Sequence, residues 1–359
     1  GEHVLERLID TASTAYTPAA LFTLFQRKHD MLPKTAALPV TTSPLNPLPG
    51  RRWLLPMYPL GRRPPRRAPR QRARRRTLRP ARFDKFGPDQ IARSPGRRAA
   101  SLLLPLARPL PLARLRRWGR NKFGEKLRKY DRDTVRYVDA FIANSAHTRD
   151  QIATHFGRDA RVIHPPVRTE VFTLDATVNR EDFWLVVSAL EPYKRVDLAI
   201  EAAMTAGQRI VVAGVGSQLK SLKAFVKATD RRFARVGLGG GRAALVQFMG
   251  RVPDAQLVGL YRRARCLIFP QVEDFGIVAL EAQACGCPVV AQRAGGALET
   301  VLEGRTGAFF DQPTEDAVRA AVERCPSDVA EQCRANAEGY SEARFDREML
   351  AVMGEMLGK

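Results

Sequence analysis

From Phe183 to Phe310, short apolar runs alternate with amphipathic ones, and this alternation restricts what the chain can fold into more than any other feature. The runs FWLVVSAL, QRIVVAG, ALVQFMG, RCLIFP, PVVAQ and GAFF carry few polar residues in their interiors. Between them lie DLAIEAAMTAG, SQLKSLKAFVKA, DAQLVGLYRRA, GIVALEAQACG and ALETVLEG, whose apolar residues recur at helical spacing. A strand that is apolar throughout needs cover on both faces, and helices on either side of a parallel sheet supply it. The pattern predicts an α/β, doubly wound domain. Such a domain binds its ligand at the C-terminal ends of the strands, so chemistry is expected in the loops after FWLVVSAL, QRIVVAG, ALVQFMG and RCLIFP.

Upstream, VRYVDAFIANSAHTRDQIATHFG reads as helix, strand and capped helix, with Asn144 or Ser145 as the N-cap. RVIHPPV is a short strand stopped by Pro165-Pro166, and a domain boundary is placed there, between 1–164 and 165–340. Residues 1–60 show a partial α/β pattern: HVLERLIDTA as helix, ALFTLF as strand, and LPGRRWLLPMYPL as a Pro-bounded connector.

The net charge of +22 suggests a polyanionic partner until it is mapped along the chain. Residues 61–120 hold 19 Arg and one Lys against Asp84 and Asp89, a local net of +18, which leaves +4 for the other 299 residues. Aromatic interleaving there is limited to Phe83, Phe86 and Trp118, which argues against a single-strand stacking surface, so nucleic acid is not the expected partner. Prolines recur too often for helix interiors or central strands. Two readings of 62–120 stand: an out-of-frame stretch of a G+C-rich gene bounded by compensating shifts, or a true insertion that binds nucleic acid or anionic lipid.

No run of about 18 apolar residues exists and GEHVLERLID lacks an apolar signal core, so a cytoplasmic protein is expected. Cys266, Cys285, Cys287, Cys325 and Cys333 are odd in number and have neither disulfide-framework nor zinc spacing. They read as reduced, mostly buried small residues.

The most informative stretch is QVEDFGIVALEAQACG, directly after RCLIFP. Glu273 falls in a strand-to-helix loop, Gly276 allows close backbone approach to a ligand, and Glu281 lies about a turn and a half into the helix. The N-terminus of that helix offers unpaired N–H groups and partial positive charge, which suit a diphosphate.

PQVEDFGIVALEAQACGCPVVAQRAGGALETV resembles the E-x7-E region of the family-4 retaining glycosyltransferases, and VVSALEPYKRVDLAIEA resembles their phosphate-contacting segment. The resemblance covers residues 121–359 and extends to 1–60, where LPVTTSPLNPLPGRRWLLPMYPL is similar to the acceptor-side region. It implies a GT-B fold, two Rossmann-like domains facing a cleft, with a C-terminal helix, 341–359, packing back on the N-terminal domain. It assigns Glu273 to hydroxyls of the donor sugar, Glu281 to the nucleotide ribose, and Lys194 to the diphosphate. The backbone amides from Phe275 through Gly276 and Ile277 to Val278 are assigned to sugar and diphosphate. In FMGRVPD, Arg251 and Val252 fall beside the nucleobase. Many members carry an Arg five residues before the Lys; here that position is Ala189, which Arg195 compensates only in part.

The implied activity is transfer of a sugar from a nucleotide-diphosphate sugar to a glycan or lipid-linked acceptor, with retention, in cell envelope polysaccharide biosynthesis. The location implied is the cytoplasm, with contact at the inner face of the plasma membrane. Departure of the diphosphate leaves an oxocarbenium-like sugar, and Lys194 with the helix N-terminus can meet the leaving-group charge. Nothing in the donor-binding half, 165–359, resembles a DxD metal motif, so neither metal nor cofactor is expected.

Two departures concern the N-terminal half. Gly1-Glu2 resembles the end of the family's Gly-Gly-Glu phosphate loop, so the first strand and part of that loop are expected to be missing, and no His lies between His29 and His147 to match the acceptor-side His. Three readings follow: an enzyme that transfers weakly as this chain stands, an inactive remnant that binds nucleotide, or a basic binding module.

Overall fold

The computed structural model describes residues 138–237 and 240–357, a few residues within 128–135, and the strands β1 (Leu21–Thr23), β2 (Val40–Thr42) and β3 (Leu78–Pro80). The helix expected over HVLERLIDTA, the connector before residue 61 and nearly all of the Arg-rich stretch lie outside the described residues. The chain divides into two compact units, Gly1–Ile142 with Ile152–Arg161, and Ala143–Gln151 with Val162–Lys359. The boundary read at Pro165-Pro166 falls four residues after the end of the first unit.

In the first unit β1 pairs β2 in parallel, Leu21 opposite Val40. A three-stranded sheet has the order β3-β4-β5, where β4 is Ala140–Ala143 and β5 is Ala160–Val162. β3 is an edge strand, the position at which a sheet tolerates Pro80. The following helix α1, Ala146–Phe156, is capped by Ser145, whose Oγ accepts from the Thr148 N–H at 2.9 Å.

The second unit holds a six-stranded sheet of order β11-β10-β9-β6-β7-β8, parallel at every pairing. Its strands are β6 (Phe183–Val187), β7 (Arg209–Ala213), β8 (Val246–Gly250), β9 (Cys266–Phe269), β10 (Val289–Gln292) and β11 (Gly307–Phe310). Its helices are α2 (Val196–Ala206), α3 (Leu219–Arg235), α4 (Asp254–Arg263), α5 (Ile277–Ala284), α6 (Ala297–Thr300), α7 (Glu315–Arg324), α8 (Ala330–Glu338) and α9 (Glu342–Leu357). α9 groups with this unit.

Successive side chains of a strand face opposite ways, and β6 shows what that does here. Phe183 and Leu185 join a core with α4, α5 and α8 through Leu257, Tyr261, Ala279 and Ala337. Trp184 and Val186 join a second core with α2, α3 and α7 through Ile200, Val226 and Val318. Each face is thus sealed by three helices, as the apolar character of the runs requires.

Two elements differ from their sequence patterns. α3 continues to Arg235, because Thr229 and Phe233 extend the buried stripe begun by Leu222 and Val226. ALETVLEG supplies only the single turn of α6. The β-branched pair Thr300-Val301 propagates a helix poorly, and the Leu302 N–H is taken by Thr306 Oγ1 at 2.9 Å.

Beyond β6 the chain adds β7 and β8 on one side and β9, β10 and β11 on the other. The order therefore reverses between β6 and β9. The crevice above their C-terminal ends is the topological switch point, where an open α/β sheet binds its ligand.

Candidate active site

Both loops that meet at the switch point are held by backbone contacts. After β6, Ser188 and Leu190 donate N–H bonds to Ala213 and Val215 carbonyls at 3.0 Å, and Gln218 N–H returns to Leu190 O at 2.9 Å. The Glu191 carboxylate accepts from the Ser217 N–H at 3.0 Å and hydroxyl at 2.6 Å. A 3-10 turn, Pro192–Lys194, then ends on Lys194. Arg195, between this turn and α2, has φ 50 and ψ 36, left-handed backbone that costs a non-glycine residue roughly 1–2 kcal/mol. Such strain tends to collect at functional sites. The Arg195 Nε lies 3.6 Å from Asp197.

After β9, the chain runs Pro270 to Phe275 and turns at Gly276, whose φ of 94 suits glycine and which caps α5. A Cβ there would lie 3.0 Å from the Phe269 ring. The first N–H groups of α5, at Ile277 and Val278, have no acceptor one turn back in their own helix. Its other end is fixed by two guanidinium groups: Arg180 donates to Gly286 O, and Arg334 to Ala284 O at 3.3 Å.

Lys194 and Glu273 meet across the switch point, the ammonium forming an ion pair with Glu273 Oε1. Their side chains are only 14% and 11% exposed. A buried pair of this kind adds little net stability, because desolvating two charges costs several kcal/mol per ion. Its placement between the two ligand-binding loops is the informative property.

Glu281 stands on α5, away from that pair. Burial pushes its carboxyl up to about 7, opposed by the Arg168 guanidinium and the neighbouring Tyr261 hydroxyl and reinforced by Asp254. Arg168 and Asp254 are themselves paired at 2.9 Å. Tyr261 is wholly buried beneath this group. Of the two residues expected at the nucleobase, Arg251 is exposed and Val252 packs partly against the core under α4 and α5.

Phe275 is buried, with its ring centroid 5.4 Å from that of His164 and 5.7 Å from that of Tyr340. His164 is gripped on both nitrogens, by Glu299 on Nε2 at 2.9 Å and Arg344 on Nδ1 at 3.1 Å. A guanidinium only donates, so Nδ1 is the acceptor and Nε2 carries the proton given to Glu299. Glu299 also accepts both the Ala146 and His147 N–H groups at the start of α1. Nothing in the linear pattern singles out His164, Glu299 or Arg344, which are far apart in sequence.

Gly295 and Gly296 also belong to the site, and a Gly-Gly pair after a buried strand is their one visible signal in the sequence. Gly296 donates to Glu273 O at 2.8 Å. A Cβ on Gly296 would fall on the Phe275 backbone and 2.6 Å from Asp274 O, and one on Gly295 would meet Glu273 O and, at 2.9 Å, Val272 Cγ1. Gly296→Ala must therefore move the loop that carries Glu273, at an overpacking cost of roughly 1–3 kcal/mol. It is expected to lower Tm and to weaken nucleotide-sugar binding at least tenfold. Gly259→Ala, in open space on α4, is the control and should be neutral or stabilising. Unchanged Tm and affinity in Gly296→Ala would remove the glycines from the site.

Four of the five cysteines are buried thiols and Cys325 is partly buried, with burial holding Cys285 up at about 12 and Cys287 at about 11. Among the described residues no group of three or more His, Cys, Asp or Glu is placed to hold a metal ion.

Residues 175–340 match the family model "Glycosyl transferases group 1". The chain is 32% identical over 257 residues to a GDP-mannose-dependent alpha-(1-6)-phosphatidylinositol monomannoside mannosyltransferase of Mycolicibacterium smegmatis, covering 65% of this chain and 59% of that protein. It is 34% identical over 222 residues to a D-inositol 3-phosphate glycosyltransferase of Geodermatophilus obscurus, covering 54% and 48%. The chain spans about half the length of the curated relatives it matches. Among solved structures, Anabaena HepE in complex with UDP aligns with TM-score 0.52 at 21% identity over 62% of this chain and 65% of that one. Sucrose-phosphate synthase of Thermosynechococcus elongatus aligns with TM-score 0.55 at 19% identity over 65% and 62%. Residues 175–340 thus match a glycosyltransferase group 1 domain, and their fold, α/β with a parallel sheet, has its structural neighbours among GT-B glycosyltransferases.

Proposed function

We propose that this domain binds a nucleotide-diphosphate sugar at the β6/β9 switch point and transfers the sugar, with retention of configuration and without a divalent metal. The carrying observation is the Lys194–Glu273 pair, which bridges the two loops where a doubly wound sheet takes its ligand. An ammonium has three N–H donors, so Lys194 can contact Glu273 and diphosphate oxygens together. Glu273 orients the sugar hydroxyls, the α5 N-terminus with Phe275 to Val278 receives the diphosphate, and Glu281 takes the ribose. Arg251 and Val252 lie at the base, and Arg195 supports the phosphate side. In the transfer step the acceptor oxygen attacks the anomeric carbon on the face from which the diphosphate leaves. The bond to the diphosphate breaks, and the hydroxyl proton passes to the departing oxygen.

The acceptor class is a hydroxyl of a glycan or a lipid-linked sugar, in keeping with the phosphatidylinositol- and inositol-directed relatives. The placement proposed is cytoplasmic, at the inner face of the plasma membrane, in cell envelope glycan assembly. No described helix is long and apolar enough to cross a membrane.

The test incubates the chain with GDP-mannose or UDP-glucose and an inositol or mannoside acceptor, with and without EDTA. One donor should give product of unchanged anomeric configuration, at a rate EDTA leaves within about twofold. Binding of both donors without transfer would favour an inactive nucleotide-binding remnant. Loss of transfer in EDTA would overturn the metal-free mechanism, and absence of binding by either nucleotide would overturn the proposal as a whole.

A further inference from the structure

We propose that the Gln271 side-chain amide is a ligand of the transferred sugar, accepting a hydrogen bond from one of its hydroxyls; the inference rests on the donor-site reading above. Gln271 is 3% exposed, and its Oε1 has no hydrogen-bond partner among the described residues. A buried amide oxygen left unpaired costs about 1–3 kcal/mol, and folded proteins retain few such groups without a use. The indole N–H of Trp184 is similarly unpaired, but it belongs to the apolar core packed with α2, α3 and α7. Gln271 stands instead two residues after the end of β9 and two before Glu273, in the loop that forms one wall of the switch point.

The chemistry of the orphan atom narrows its partner. An amide oxygen only accepts, so it can pair with a hydroxyl but not with an ionised diphosphate, which has no hydrogen to give. The hydrogen donors of a nucleotide sugar are the hydroxyls of the ribose and of the transferred sugar and the N–H groups of the base, and the reading above sets the base beside Arg251 and Val252. Glu281, to which the ribose is assigned, is on α5 beside Tyr261, whereas Gln271 shares its loop with Glu273, to which the sugar is assigned. Gln271 then favours a donor whose sugar presents a hydroxyl at that point, and the unpaired oxygen is satisfied only when the sugar arrives.

Gln271→Met keeps the unbranched length and removes the acceptor; Gln271→Ala is the second variant should Met disturb folding. Calorimetry on the whole chain compares GDP-mannose with GDP and UDP-glucose with UDP. Affinity for the bound nucleotide sugar is expected to fall about three- to tenfold, as loss of one hydrogen bond requires, while affinity for the matching nucleotide stays the same. Tm of Gln271→Met should equal or exceed that of the unaltered chain, since an unpaired buried polar atom has been removed. One deoxy-sugar donor should lose affinity for the unaltered chain and lose none further on Gln271→Met. Unchanged nucleotide-sugar affinity in the variants, or an equal loss for the nucleotide alone, overturns the inference. If the unaltered chain binds neither nucleotide nor nucleotide sugar, the donor-site reading itself has failed, a distinct result that also removes this one.

Discussion

Lys194→Met is expected to lower kcat for sugar transfer by about 100- to 1,000-fold while moving the donor KM by only a few fold. As the bond to the anomeric carbon breaks, negative charge grows on the leaving diphosphate, and a fixed cation there acts more strongly on the transition state than on the bound donor. Lys194 is held for that task by Glu273 and by the turn Pro192–Lys194, and its side chain is largely withdrawn from water. Lys194→Arg should recover only part of the rate, because a planar fork does not occupy the site of a compact ammonium. The substitution has a second expected consequence. Removing one partner leaves Glu273 buried without its counter-ion, which costs roughly 3–5 kcal/mol unless the carboxyl takes up a proton. Lys194→Met with Glu273→Gln should therefore regain stability but not turnover. A kcat within about threefold of the unaltered chain for Lys194→Met would exclude the lysine from the chemistry.

The sheet was legible because its signal is local. Each of the six apolar runs needs no more than its own composition to read as a strand buried on both faces, and β6 to β11 lie where those runs do, although β8, at the sheet edge, has no fully buried residue. Ser145 was legible as a cap for the same reason, as an N-cap side chain bonds the backbone a few residues ahead. What distance in sequence separates was not legible. The packing of Gly295-Gly296 on the Glu273–Phe275 loop, the grip of Glu299 and Arg344 on His164, and the buried amide of Gln271 depend on which loops the topology brings together. Arg195 is an intermediate case. The resemblance offers it as a partial substitute for the Arg missing at Ala189, but its left-handed backbone and its approach to Asp197 could not be read from a string in which glycine is the usual occupant of such a conformation. The resemblance contributed roles for Glu273, Glu281 and Lys194; the fold contributes the reason two of them meet, which is the reversal of strand order between β6 and β9.

Nucleotide affinity is expected to fall about tenfold between pH 8 and pH 6, and Glu281→Gln is expected to abolish that dependence. The proposed partner of Glu281 is a pair of ribose hydroxyls, which donate to a carboxylate, so only the ionised form binds them fully. Burial holds this carboxyl at about 7, against an ordinary value of 4.5. The ionised fraction then drops from about nine-tenths at pH 8 to about one-tenth at pH 6. The same shift acts on stability with the opposite sign. A carboxyl whose folded pKa is raised contributes stability that is fully present below about 4.5 and lost as pH rises through about 7, because the folded state is the one that holds the proton. With no ligand bound, the protein should lose up to roughly 3 kcal/mol from this group between those limits. Glu281→Gln removes the charge that burial opposes, so at pH 8 it should raise Tm and weaken nucleotide binding at once. The measurement is a pair of calorimetric titrations with GDP and UDP at pH 6 and pH 8, with thermal unfolding at both, on the unaltered chain and the Gln variant. Equal pH dependence in the two proteins would place the titrating group elsewhere. Weaker binding with no gain in Tm would mean that the carboxylate already finds in the folded chain the partners that the ribose is proposed to supply.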